Sequence, residues 1–297
     1  MAESTDGRRT GVIRVGISGY NYPAWRGTFY PTRLRAKDWL RYAARVFNSI
    51  ELNGTFYSLK SPDVFRRWND EVPDDFVFAI KGSRFITHNL KLRRAEGPLA
   101  NFFASGILAL ERKTGPFLWQ LPATYRFDPE RVASFLRLLP RTSAQAATLA
   151  RHHDERLRRG ALTISAGAVP YRHALEVRHP SYFTAELYEI LRARDCAFVI
   201  ADTANTFPYA EEVTTDFVYV RLHGSRQLYA SGYTDGELDA WASRIHAWSA
   251  ARQPRDVYVY FDNDALGHAP HDARRLAERL GCAPPLSEVA ALEGAAP

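Results

Sequence analysis

Seven ionisable residues share one local setting: each sits at the C-terminal end of a short β-rich, apolar run. They are Glu51, Lys81, Glu176, Arg178, Asp202, Arg221 and His223. Glu51, Glu176 and Asp202 are of the type that carries protons or ligates a metal. Lys81 offers an electrophile, a Schiff-base amine or an acid/base of lowered pKa, against the plainer role of counter-ion to Glu51 or Glu176. Arg178 and Arg221 are anion holders by type, because a guanidinium fork matches carboxylate and phosphate. His223 can shuttle a proton near neutral pH, and Gly224 after it allows a ligand close to the backbone. Ser18, Asn53, Gln120, Asp262 and Asn263 stand at comparable run ends, and His88 lies just beyond Lys81. So many charges at one rim must pair with each other or bind something. The competing reading is a charge network that closes one end of the fold.

The runs that would position these residues read as strands over 13–18, 49–53, 76–81, 116–121, 174–178, 197–202, the first part of 217–225, and 257–262. Helical periodicity falls between most of them: 37–47, a helix opened by Ser61-Pro62, 98–110, one started by Asp128-Pro129-Glu130, a polar segment over 141–159, one capped by Ser181 or Thr184, one from Asp235, and 272–280 stopped by Gly281. Strand six is the exception, since 203–215 reads as loop. Two loops are aromatic. Residues 20–35 carry Tyr20, Tyr22, Trp25, Phe29 and Tyr30, and 229–233 holds a tyrosine at each end. They are either a lid and substrate wall or a plug in the end of the fold.

Strands alternating with helices imply parallel βαβ units, and eight in this length close as a parallel (β/α)8 TIM-barrel-like fold with an irregular return after strand six. An open doubly wound sheet is the alternative. It is disfavoured because no Gly-x-Gly-x-x-Gly follows the first strand and no phosphate-loop motif occurs. No internal linker is visible, so one domain over 12–282 is expected, with flexible termini at 1–11 and 283–297. Hydrophobic residues at 46% and charged residues at 24% exclude a disordered chain. Cys196 and Cys282 are too few for a disulfide framework or a metal cluster and fit a reducing compartment. With no apolar leader at 1–11 and no run long enough to span a bilayer, a cytoplasmic protein without membrane contact is expected.

The net charge of +6 comes almost entirely from arginine. Pairs such as Arg66-Arg67, Arg93-Arg94, Arg158-Arg159 and Arg274-Arg275 are scattered along the chain, as on a solvated surface rather than a dedicated nucleic-acid face. A divalent metal would need Glu51, Glu176, Asp202 and His223 or His88 to converge. Neither His-x-His nor His-Glu-x-x-His occurs, and the adjacent His152 and His153 would face different sides of a helix, so no residue is assigned to a metal.

Taken together, several pieces resemble the DUF72, or YecE-like, family of uncharacterised barrel proteins. They are Val15-Gly16-Ile17-Ser18-Gly19-Tyr20 with Trp25; Glu51-Leu52-Asn53-Gly54-Thr55-Phe56-Tyr57; Lys81 with Thr87-His88; Gln120-Leu121-Pro122; Glu176-Val177-Arg178-His179; Asp202; Tyr219 through Gly224; and Tyr260-Phe261-Asp262-Asn263. Tyr20 and Trp25 thereby join the candidate binding residues. The resemblance implies a TIM-barrel-like fold and no known reaction. Its likeness to metal-dependent barrel endonucleases and sugar isomerases is one of fold alone. The first functional expectation is an enzyme acting on an anionic, phosphorylated small molecule. Arg178 and Arg221 would hold the anion, with Glu51, Lys81, Glu176, Asp202 and His223 in acid/base roles. A nucleic-acid-binding or phosphodiester-cleaving protein and a ligand-binding protein without turnover are the alternatives. A closed acidic pocket among scattered arginines favours the first, and a basic face continuous with the mouth the second. Neither a cofactor nor an oligomeric state follows from the residues.

Overall fold

Runs apolar on both faces make strands that must be covered on both faces. Eight of them pair in parallel and in chain order, and the last returns to the first to close a barrel. The structure is a computed structural model and describes residues 10–157 and 160–284. The strands are β1 (Ile13–Ser18), β2 (Ser49–Leu52), β3 (Val77–Lys81), β4 (Thr114–Gln120), β5 (His173–Glu176), β6 (Cys196–Asp202), β7 (Phe217–Leu222) and β8 (Asp256–Phe261). The outer layer holds α1 (Trp39–Val46), the short α2 (Gly54–Tyr57), α3 (Pro62–Asp70), α4 (Glu96–Ala104), α5 (Pro129–Leu138), α6 (Ser143–Ala150), α7 (Ala185–Ala193), α8 (Asp235–Ser249) and α9 (His268–Arg279).

Strand alternation sorts the core into two compartments. Ala79, Leu118, Ala174, Ala197, Val199, Phe217, Tyr219, Tyr258 and Tyr260 fill the barrel interior. The intervening positions, such as Val15, Ile17, Ile50, Ile80, Leu175, Ile200 and Val220, pack outward under the helices. Gly16 is fixed by sterics, since a Cβ there would lie 1.8 Å from the carbonyl oxygen of Ser49 on the paired β2.

Caps account for the firm helix starts. The Asp128 side chain accepts from Arg131 N–H at the head of α5, Thr184 from Leu187 N–H at α7, and Thr234 with Glu237 forms a capping box at α8. The helix expected over 98–110 is two elements. α4 ends at Ala104, and Gly106 at φ +130° turns the chain into a 3-10 stretch, Ile107–Lys113, because any Cβ there would meet Pro62 and Phe65. The helix expected over 141–159 stops at Ala150, and Arg158-Arg159 lie outside the described residues. The final helix starts four residues earlier than expected, after Gly267 in the left-handed conformation. β4, β5, β6 and β8 begin one or two residues earlier than expected and β3 one later, while β2, β4, β5 and β8 end one or two earlier. Of the termini expected to be flexible, 1–9 and 285–297 lie outside the described residues, while Gly11 N–H is already held by Ser249 O at 2.9 Å. The return from β6 to β7 carries no helix, as expected.

The 20–35 loop is mostly a plug. Trp25 and Tyr30 are buried, Tyr30 stacks on Trp39 at 4.7 Å between ring centroids, and Phe29 contacts Phe47.

Candidate functional site

Parity along the strands decides which strand-end side chains reach the mouth. Residues two apart share a face, so the inward Tyr219 brings Arg221 and His223 with it, Ala79 brings Lys81, Leu118 brings Gln120, Ala174 brings Glu176, Tyr260 brings Asp262, and Ser49 brings Glu51. On β6 the inward residues are Ala197, Val199 and Ala201, which turns Asp202 away.

Arg221 is the hub of a sealed ion network. Its Nε donates to Glu51 Oε2 at 3.1 Å, and Nη1 donates to Glu176 Oε2 at 2.8 Å and to His223 Nε2 at 3.3 Å. Nη2 donates to Ser18 Oγ at 3.0 Å, Glu51 Oε1 at 2.8 Å and Asp262 Oδ2 at 2.9 Å. Tyr219 O–H donates to Glu51 Oε2 at 2.6 Å, and the Ser18 hydroxyl donates to Glu51 Oε1. Arg221, Glu51, Glu176 and His223 are fully buried. Burial alone would lower the guanidinium's pKa, but Glu51, Asp262 and Glu176 push it well above the ordinary value. Burial would raise Glu176, yet Arg178 and Arg221 hold it well below the usual carboxylate range. Asp262 is depressed in the same way, by Arg221 and then His223. His223 is lowered by burial and Arg221, so it is a neutral imidazole accepting at Nε2. Its Nδ1 lies 3.1 Å from Asp262 Oδ2 without the alignment of a hydrogen bond.

This geometry corrects the assignment of Arg221 as holder of an external anion, because its five N–H groups are all taken by the protein's own acceptors. Arg178 is largely spent too, with Nε 2.8 Å and Nη2 2.7 Å from Glu176 Oε1 and its guanidinium over Phe207. The expectation that all seven ionisable residues point into one cavity is corrected as well. Six of them are absent from the cavity wall, and five of those six form one hydrogen-bonded cluster beneath it.

The cavity itself has a volume of about 530 Å³ and is lined by Tyr22, Asn53, Phe56, Tyr57, Lys81, Arg84, His88, Gln120, Tyr229, Asp262 and Asp264. Three adjacent strands send it polar groups that no protein partner satisfies among the described residues. From β2, the Asn53 amide donates to Ser18 Oγ but leaves its buried Oδ1 unpaired. From β4 comes the Gln120 amide, without a side-chain hydrogen bond. From β3 comes Lys81, only 8% exposed, whose Nζ makes neither hydrogen bond nor ion pair and lies 4.8 Å from the Phe56 ring centroid. Burial and the neighbouring Arg221 lower the Lys81 pKa, against the pull of Asp262, Glu51 and Glu176. Thr55 O–H fixes the strand end by donating to Lys81 O at 2.7 Å.

After β3 the chain makes a π-helical turn, Phe85–Asn89, of the kind found at functional sites. It carries His88, whose Nδ1 is 2.9 Å from Thr87 Oγ. Burial first and Lys81 second bring His88 down to about 4, so it is neutral at pH 7. Asp264, also in the cavity wall, is raised by burial and Asp262. Tyr229, at φ +63°, holds an aromatic side chain in a conformation that costs energy for any non-glycine residue.

The remaining expected site residues are structural. Trp25 is buried in the plug, and the Tyr20 hydroxyl accepts from Trp68 Nε1 at 2.8 Å. Asp202 accepts from Tyr233 O–H at 3.1 Å and Ala204 N–H at 3.3 Å, away from the cavity. Asn263 donates to Ser231 O and Asp272 Oδ2 and ties the rim to α9. Gly224, at φ +111°, makes a tight turn in which a Cβ would lie 2.5 Å from Gln227 O, so its freedom serves the backbone and not a ligand. No three His, Cys, Asp or Glu side chains among the described residues are arranged to hold a metal ion, because the acids that would do so are bound to Arg221. No helix among them is long and apolar enough to cross a membrane. Arg84, Asp264, Tyr22 and Tyr229 were not assigned as site residues from the sequence. They lie in loops beyond the strand ends, where parity sets no direction.

Comparison with known proteins follows the same architecture. The sequence model of a family described as protein of unknown function DUF72 matches residues 14–292. The UPF0759 protein YecE of Escherichia coli K12 is 22% identical over 312 residues, covering 95% of this chain and all of the relative. The UPF0759 protein YunF of Bacillus subtilis is 22% identical over 301 residues, covering 91% and 95%. A crystal structure of a DUF72 family protein from Thermotoga maritima superposes with a TM-score of 0.72 at 27% identity, covering 91% of this chain and 99% of that one. One from Enterococcus faecalis gives 0.68 at 17% identity, covering 91% and 96%.

Proposed function

The chain belongs to the DUF72 family, of unknown function, and from its own rim cavity we propose that it is an enzyme performing acid/base chemistry on a small anionic molecule. Lys81 carries this reading: a nearly buried amine, unpaired, with its pKa lowered, in the wall of a polar cavity. A lysine kept for stability would be given a partner, as Lys113 is by Asn69 O, Val72 O and Asp74. The sealed network beneath serves as a fixed electrostatic floor, and after burial its Arg221 helps lower the Lys81 pKa. Neutral His88 and the raised carboxyl of Asp264 flank it as proton acceptor and donor. The anion's place falls to Arg84, an exposed cation at the mouth with no ion pair among the described residues.

One feature favours this reading over a nucleic-acid surface. Many outer arginines are paired, as in Arg66 with Asp63, Arg131 with Asp128, Arg192 with Glu212 and Arg279 with Asp239. Thermal melts with inorganic phosphate and small phosphorylated metabolites test it. The parent should gain a ligand-dependent shift, and Arg84→Ala and Lys81→Met should each reduce it. A parent that shows no shift with any of them would sink the anion part of this reading.

A further inference from the structure

We propose that Lys81 is a Schiff-base lysine, and that the substrate class of this site is a small phosphorylated aldehyde or ketone. The inference rests on the acid/base reading above for its site and adds covalent chemistry to it. It stands on where Nζ is and on what it lacks. The amine emerges from the end of β3 into the cavity wall, 4.8 Å from the centroid of the Phe56 ring. A hydrogen-bonded or salt-bridged lysine is held as the ammonium ion, whereas burial and the nearby Arg221 guanidinium work against the proton on Lys81, and the weaker attraction of the Phe56 ring for the cation is the only direct contact opposing them among the described residues. The same cavity is lined by an acceptor, His88, and a proton carrier, Asp264, together with unsatisfied Asn53 Oδ1 and Gln120, which suit the hydroxyl groups of a sugar-like carbonyl compound.

The steps balance without any oxidant or reductant. Neutral Nζ attacks the carbonyl carbon, a C–N bond forms, and the C=O π pair moves to oxygen. The oxygen takes a proton from Asp264 while nitrogen gives one to His88, leaving a neutral carbinolamine. His88 then returns its proton to the hydroxyl, which leaves as water while the nitrogen lone pair makes the C=N bond. One amine, one carbonyl and one proton have become a protonated imine and one water. The imine is an electron sink, so His88 can remove a proton from the adjacent carbon, and hydrolysis returns the free lysine.

The chain has five lysines, Lys37, Lys60, Lys81, Lys91 and Lys113, so it supplies its own controls. The parent protein is incubated at pH 7 with glycolaldehyde phosphate or dihydroxyacetone phosphate and sodium cyanoborohydride, digested, and mapped by mass. Each unit by which an amine's pKa falls multiplies its neutral fraction at pH 7 by about ten. The reduced adduct should therefore accumulate on Lys81 in preference to the exposed Lys37 and Lys91. Lys81→Met and Lys81→Arg should lose that adduct alone. Equal or heavier labelling of Lys37 and Lys91 than of Lys81 overturns the imine. If the same probes raise the melting temperature yet leave Lys81 unmodified, the imine fails and the acid/base reading stands. If they do neither, the imine fails together with the anion part of the acid/base reading.

Discussion

The floor and the wall of the mouth hold the same kinds of residue in opposite states. Below, Arg221 and its acids satisfy one another almost completely and exclude water. Above, Lys81, Gln120 and Asn53 Oδ1 have been brought to the cavity and left unsatisfied. A buried polar group normally finds a partner, so the first region is explained by the fold and the second is not. Charge at a barrel rim is therefore no guide to chemistry until the pairing is known. The removal of one member from each region should separate them.

The largest effect is expected at the hub. Arg221→Ala leaves Glu51, Glu176 and Asp262 buried without their common cation, and should cost about 3–5 kcal/mol in denaturant unfolding. A loss below about 1 kcal/mol would mean that the network is not what holds the end of the barrel closed.

Acid should act on the same region. The folded-state pKa values of Glu176 and Asp262 lie below their ordinary values. The stability they contribute is therefore complete above the unfolded carboxylate range near pH 4, and is lost as pH falls from there toward their folded values. The acid limb of the parent should be steep, on the order of a few kcal/mol in all. Glu176→Gln should lower stability at pH 7 and flatten that limb. An unchanged slope in Glu176→Gln would place the acid sensitivity elsewhere.

The wall should respond the other way. The folded Lys81 pKa lies below its unfolded value. Folding thus disfavours the protonated amine, and the parent should gain stability as pH rises toward the unfolded lysine value near 10.4. Lys81→Met removes that disfavoured charge and no hydrogen bond. Its melting temperature at pH 7 should equal or exceed the parent's while its response to phosphorylated probes disappears. A destabilised Lys81→Met would return the lysine to the counter-ion role and merge wall with floor.

The barrel was legible because strands buried on both faces and helices between them leave few alternatives, and the return after β6 could be read from its lack of helical periodicity. The rim was legible as a place but not as a set of roles. Which side chains turn inward follows from two-residue parity: Tyr219, Arg221 and His223 share a face with each other, and Val199 with Ala201, which excludes Asp202. Asn263, one residue past the inward Asp262, falls on the wrong face by the same count. What parity could not reveal is that Arg221 spends all its donors within the protein. That depends on Glu51 and Glu176 reaching it from strands far apart in the chain, at separations of 170 and 45 residues. Nor could parity place Arg84, Tyr229 or Asp264, whose directions are set by loops.

Asp202 is the sharpest control, because it is a strand-end carboxylate assigned a proton-transfer role by type and placed in neither region. It is half buried, and its pKa is raised by burial despite the hydrogen bonds from Ala204 N–H and Tyr233 O–H. A raised carboxyl opposes folding when ionised, so its contribution improves as pH falls, the reverse of Glu176. Asp202→Asn keeps an oxygen for the Ala204 N–H and places an amide that can donate to the Tyr233 hydroxyl where the second oxygen accepted from it, and it discards the disfavoured charge. Its stability at pH 7 should lie within about 0.5 kcal/mol of the parent's, on the favourable side if anywhere. Adduct formation at Lys81 should be unchanged, since no contact links Asp202 to the cavity wall among the described residues. If Asp202→Asn instead abolishes trapping at Lys81, the outward strand face contributes to the site, and the division between floor and wall would have to be redrawn around β6.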